Sequence, residues 1–208
     1  MPAWTRLGSS AVLVVAGFSW ALISREYATV RYALLLALGM SLGFAGDLSL
    51  AQVLITGRRS QLVGIAAFAA GHLFYIPAIW QLGQQLGLTS GAARLGALLT
   101  WWLLAFWGWF FVVYRGSKGR SLQWIVLPYA LLLATTAGVA TGLAVQAPVF
   151  WPLAAGSALF LVSDMLIGGN WFSGLDFPLI HDLIWLTYGP GQMLIVYSAG
   201  AALQGSLI

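Results

Sequence analysis

The chain reads as apolar runs of about 17 to 24 residues separated by short polar segments, the length a helix needs to cross a hydrocarbon core. These runs predict seven helices, at 7–23, 31–54, 61–82, 92–114, 122–145, 149–169 and 180–204. The punctuation between them is "TGRRSQ", "QLGQQLGLTSG", "RGSKGRS", "QAP" and "GGNWFSGLDFP", rich in the residues that end helices and make turns. The first run has the length of a signal peptide. It ends in Ser24-Arg25-Glu26 with no small-residue cleavage pattern and further spans follow, so it is read as a helix. The expected fold is an all-α polytopic membrane protein forming a single domain over residues 1–208.

Composition agrees. Hydrophobic residues make up 61% of the 208 and charged ones only 7%, against about 25% charged in a soluble domain. There are no cysteines, which excludes disulfides, thiolate zinc sites and a cysteine nucleophile. The net charge of +4 does not point to nucleic acid, because the basic residues sit in short loops where they set orientation. Arg6, Arg58, Arg59, Arg115, Lys118 and Arg120 fall on one side; Arg25, Arg31 and Arg94 fall on the other. Six against three places the amino terminus inside and the carboxyl terminus outside, in what is expected to be a bacterial cytoplasmic membrane. Trp4, Trp80, Trp124, Trp151 and Trp171 near span ends fit interfacial belts. The "WWLLAFWGWFF" run of the fourth helix is bulky all round and is read as mainly lipid-facing.

Against that background the polar residues stand out. Asp47 lies inside "ALLLALGMSLGFAGDLSLAQVL" (33–54), where the membrane interior penalises a carboxylate by roughly 2.5–3.5 kcal/mol on the mildest scale. Counted from the inner ends of the predicted helices, Asp164 lies ~7 Å deep, Asp47 ~10 Å, Tyr188 ~12 Å, His72 ~16 Å and Gln192 ~18 Å. Four different helices thus bring polar groups to the inner half of the membrane. His181, Trp185, Tyr188 and Gln192 form one helical stripe, Ser157, Phe160, Asp164 and Gly168 another, and Phe68, His72 and Tyr75 a third. Gly39, Gly43, Gly46 and Gly71 permit close helix approach, and Pro190 is expected to kink the last helix. The simplest bundle joins these faces around a polar cavity open to the inner leaflet. Asp47 in "GFAGD" and Asp164 in "FLVSD" also suggest a three-one-three helix repeat.

Each residue has a plainer explanation. Asp47 or Asp164 could be a structural acid satisfied by a hydroxyl or helix end. His72 could bridge two helices, Tyr75 could be packing, and Asp176 lies in a loop. His181 and Asp182, at a helix start, suit capping and the helix dipole.

Four segments, in order, carry a resemblance: "SLGFAGDLSL", "FAAGHLFY", "GSALFLVSDMLI" and "YGPGQMLI". Together they resemble the YhhN-like lysoplasmalogenases, integral membrane vinyl ether hydrolases. The resemblance implies hydrolysis of a lysoplasmalogen to a fatty aldehyde and glycerophosphoethanolamine or glycerophosphocholine, with Asp47 and Asp164 as the acids that matter most. It also implies a family pattern of eight helices, of which this chain is expected to lack the first. Where relatives often carry a Tyr-Tyr pair before the Gln, Gly189 follows Tyr188 here.

Vinyl ether hydrolysis needs an acid still protonated near neutral pH and a second group to hold the cation and deprotonate water. Two carboxylates in different surroundings meet both needs without metal, thiolate or nucleotide, so no cofactor is expected. Sequence leaves the two roles open, with the drier setting of Asp164 favouring it as the acid. His72, Tyr75, Tyr188 and Gln192 would orient water or the leaving oxygen, with Ser163, His181 and Asp182 as further candidates. Arg58 and Arg59 could attract a phosphate headgroup, or serve orientation alone. The partner is a lysophospholipid arriving from the bilayer. Two other classes stay open: a metal-dependent lipid amidase or esterase using Asp47, His72, His181 and Asp164, and a small proton-coupled transporter.

Overall fold

In the computed structural model, residues 3–115 and 123–205 are described, with only the backbone of Arg58 and Gln123. Lys118 and Arg120, and the side chain of Arg58, which entered the orientation argument, lie outside the described residues. Seven α-helices account for the described fold: α1 Ala3–Ile23, α2 Val30–Leu50, α3 Arg58–Gln85, α4 Gly91–Gly108, α5 Gln123–Gln146, α6 Trp151–Gly168 and α7 Ile180–Gly205. Helices α4 and α6 continue as π-helical segments, Trp109–Tyr114 and Gly169–Ser173, and a 3₁₀ turn, Pro148–Phe150, leads into α6. Six stretches are long and apolar enough to cross a membrane. Helix α7 has the length but is more polar and is not among the six.

The chain divides into two compact units. The first holds residues 1–89 and 192–208, the second residues 90–191, so the helix α7 supplies a half to each. Helix α4 packs on α5 inside the second unit.

In the first unit α2 lies between α1 and α3, and small residues let the backbones meet. A Cβ on Gly17 would stand 3.0 Å from Ala37 Cα, and one on Gly71 would stand 2.9 Å from the Gly39 carbonyl oxygen. Helix α2 ends at Leu50, four residues earlier than its apolar run predicts. The chain turns there, with Gln52 at φ 58° and the Val53 amide reaching back to the Leu48 carbonyl at 3.0 Å.

In the second unit α5 lies between α4 and α6. A Cβ on Gly138 would meet Leu98 Cα at 2.9 Å, and one on Gly142 would meet Arg94 Cα at 3.1 Å. Two indole N–H groups of α4 cross to α5 hydroxyls: Trp101 to Thr141 and Trp102 to Thr135, both at 2.9 Å. The fourth helix is mainly exposed, as its bulk all round suggested, with burial confined to a few positions. Leu103, Leu104, Phe106, Trp107 and Phe111 are exposed, but Trp109 is buried with Val113 and Val126 against Phe110, Leu127, Met165 and Phe172. The π-helical turns widen the backbone and leave carbonyls to satisfy; Ser173 Oγ donates to those of Val112 and Val113.

Candidate functional site

The predicted residues fall into two groups, one in each unit. In the first, helix α3 buries Phe68, Gly71, His72 and Tyr75 along one face. Tyr75 is 1% exposed, and its ring occupies the space that a side chain on Gly39 would need. The glycine is what seats it. From there the Tyr75 hydroxyl donates to Gln192 Oε1 at 3.1 Å, with Met40 Sδ at 4.0 Å. The His72 ring meets Tyr75 edge-on, centroids 5.5 Å apart. Asp47 lies in the last turn of α2, half-buried, close enough for its charge to act on the Tyr75 hydroxyl. Gly46 beside it receives the Phe68 ring, 2.9 Å from where its Cβ would be. A carboxylate near a helix C-terminus opposes the helix dipole by ~0.3–1 kcal/mol, so helix stability does not account for an acid at position 47.

In the second group, Asp164 lies one turn before the end of α6 and is half-buried. Tyr129, on α5, donates its hydroxyl hydrogen to Asp164 Oδ2. Tyr188, buried on α7, packs edge-on against Phe160 at 5.3 Å and tilted against Trp185 at 5.6 Å. It is brought there by the close approach of α6 and α7: a Cβ on Gly191 would stand 2.9 Å from the Gly156 carbonyl oxygen. Helix α7 continues without a break through Pro190.

The weaker candidates sort by environment. Ser163 Oγ donates to the Ile184 carbonyl at 3.1 Å, tying α6 to α7. His181 is exposed and Asp182 half-buried in the first turn of α7, where an acid complements the helix dipole. Asp176 is exposed in the loop before α7. Among the described residues no three His, Asp or Glu side chains gather as a metal site. Sequence reasoning missed Tyr129. Its signal was faint: a polar-tipped aromatic inside an apolar run, which needs a partner when buried.

An all-helical fold, six membrane-length apolar stretches and two acids set into such helices define a polytopic integral membrane protein. Within that class, a model of the YhhN family matches residues 6–199, nearly the whole chain, and the protein belongs to the YhhN family, the lysoplasmalogenase family. No curated protein and no solved structure matches it.

Proposed function

We propose that this protein hydrolyses the vinyl ether bond of lysoplasmalogens, with Asp164 as the proton donor and Asp47 as the carboxylate that activates water. One observation carries the reading. A member of the lysoplasmalogenase family holds a carboxyl group, Asp164, within an apolar helix and in direct hydrogen bond with a tyrosine.

The acid transfers its proton to the outer carbon of the C=C–O unit, and the electron pair of the double bond forms the new C–H bond. The inner carbon becomes an oxocarbenium ion. Water adds to that carbon and gives a proton to the carboxylate. The hemiacetal then collapses: its hydroxyl proton leaves, a C=O forms, and the glycerol oxygen departs with a proton. The net consumption is one water, the products a fatty aldehyde and glycerophosphoethanolamine or glycerophosphocholine. A carboxyl is suited to the first step because its transferable proton sits on a group that bears the resulting charge over two oxygens. To His72, Tyr75 and Gln192 we assign the orienting of water or of the leaving oxygen by hydrogen bonds.

The test is aldehyde release from a lysoplasmenyl lipid by the purified protein and by Asp47→Asn and Asp164→Asn. Turnover by the wild type and its loss in both folded variants supports the reading. Near-normal turnover in either variant rules out the two-acid scheme, and no aldehyde from the wild type rules out the reaction.

A further inference from the structure

Tyr129 stands one residue after Pro128 on α5, the helix flanked by both α4 and α6, and is only 9% exposed. Ala130, Leu133 and Ala134 after it on α5 are buried too, in the close packing of a protein interior. A buried phenol must place its hydrogen on an acceptor or lose the hydration it had in water. Here the acceptor is one particular oxygen of one particular acid, Asp164 Oδ2. The titratable groups acting on the Tyr129 hydroxyl are Asp164 from α6 and Tyr188 from α7.

Two consequences follow from that geometry. In a protonated carboxyl the carbonyl oxygen is the better acceptor, so the hydrogen bond from Tyr129 to Oδ2 favours the proton on Oδ1 and fixes the plane of the group. As that proton departs, negative charge grows on Oδ2 and the same bond becomes charge-assisted, about twice as strong as a neutral one. An interaction that strengthens along the reaction accelerates it; one that is constant does not. We propose that Tyr129 is the positioning residue of Asp164, presenting Oδ1 as the proton-bearing oxygen and stabilising the carboxylate as it forms. The inference rests on the assignment of Asp164 as the acid. A tyrosine that merely fills space in α5 would do neither.

The experiment uses the full-length protein in lipid nanodiscs, as wild type and Tyr129→Phe, with two readouts. The first is the infrared carboxyl stretch of Asp164, identified by its disappearance in Asp164→Asn; removing the Tyr129 hydroxyl shifts it. The second is turnover of lysoplasmenyl lipid: kcat falls about 10²-fold while KM changes by less than about twofold, the mark of lost orientation and not of lost binding. A variant with an unmoved band, or with kcat unchanged, overturns the proposal, as does a loss confined to thermal stability. Should Tyr129→Phe fail to fold, 3-fluorotyrosine installed at position 129 keeps the ring and donates more strongly. The band then moves in the direction of a stronger hydrogen bond, and an unmoved band overturns the proposal. If the wild type releases no aldehyde, the proposed reaction falls, while the infrared shift alone still decides whether Tyr129 holds the Asp164 carboxyl.

Discussion

In the first unit the Tyr75 hydroxyl gives its hydrogen to an amide, Gln192 Oε1, and Asp47 acts on it through space; in the second the Tyr129 hydroxyl gives its hydrogen directly to a carboxyl, Asp164 Oδ2. Both tyrosines are buried, and Tyr75 is seated against Gly39. The difference lies in what the hydroxyl holds. An amide bound through its oxygen has its N–H₂ donors directed elsewhere, which suits a group that receives or orients a neutral molecule. A carboxyl bound through one oxygen is fixed in plane and helped to carry charge, which suits a group that gives up a proton. The same two residue types are therefore joined differently in the two units, by a direct hydrogen bond at Asp164 and without one between Tyr75 and Asp47.

The largest effect that would test the contrast is removal of either acid. Asp164→Asn and Asp47→Asn are each expected to lower aldehyde release by about 10³-fold, within the range of lost acid–base catalysis. Deuterated water sharpens the difference: with Asp164 as proton donor, Asp164→Asn leaves recovered substrate without deuterium on the outer vinyl carbon, whereas Asp47→Asn, blocked after that step, exchanges it. Equal, mild losses in both variants would erase the distinction between the two regions.

Next in size is the seat of Tyr75. A methyl on Gly39 overlaps the Tyr75 ring and its neighbour is the α3 backbone at Gly71, so Gly39→Ala must push the tyrosine off Gln192. The expected cost is about 1–3 kcal/mol of stability, as for overpacking a core, with turnover falling alongside. Gly96→Ala, where nothing lies within 4 Å, is the matched control: it leaves turnover unchanged and does not lower stability. Thermal unfolding in detergent, followed with aldehyde release, checks the pair.

Much of this frame was legible in the sequence, for a physical reason. A membrane helix needs an unbroken apolar run, so α1 and α3 to α6 announce themselves, and a charge inside such a run is conspicuous, as Asp47 and Asp164 are. The end of α2 was not legible, because Ala51, Val53 and Leu54 carry the apolar run past Leu50 with Gln52 its one polar residue, while the chain has already turned there. Nor were the π-helical turns, which depend on how α4 and α6 meet, with Ser173 reaching carbonyls about sixty positions earlier. Tyr129 stayed hidden because a tyrosine among leucines and alanines has the pattern of packing. Only the rotation of α5 against α6 reveals that its hydroxyl meets a carboxyl.

A smaller effect comes from Tyr75→Phe, which removes the hydroxyl and keeps the ring in its glycine-lined seat. An interhelical hydrogen bond in a membrane protein is worth ~0.6 kcal/mol on average, so stability falls only by that order. Turnover is expected to fall by about tenfold, less than for Tyr129→Phe, because Gln192 loses its orienting donor while both acids stay in place. A loss for Tyr75→Phe as large as that for Tyr129→Phe would reverse the ranking of the two tyrosines.

The smallest effect belongs to Tyr32→Phe, and it decides whether proximity to an acid is what matters. Tyr32 and Ser198 join α2 to the second half of α7 through hydroxyl oxygens 2.6 Å apart, and Ser198 Oγ donates to the Ile195 carbonyl, also at 2.6 Å. Serine has one hydroxyl hydrogen, so Tyr32 is the donor in this pair, as Tyr75 and Tyr129 are in theirs. The bond is as buried as those two, yet Tyr32 sits at the start of α2 and Asp47 in its last turn, about 22 Å along the axis at the helical rise. Tyr32→Phe is expected to cost ~0.6 kcal/mol in thermal unfolding and to leave aldehyde release at the wild-type rate. A fall in turnover matching that of Tyr75→Phe would mean that any lost hydroxyl bond loosens the helices enough to slow the chemistry. The contrast between the amide-bound and carboxyl-bound tyrosines would then be one of packing alone.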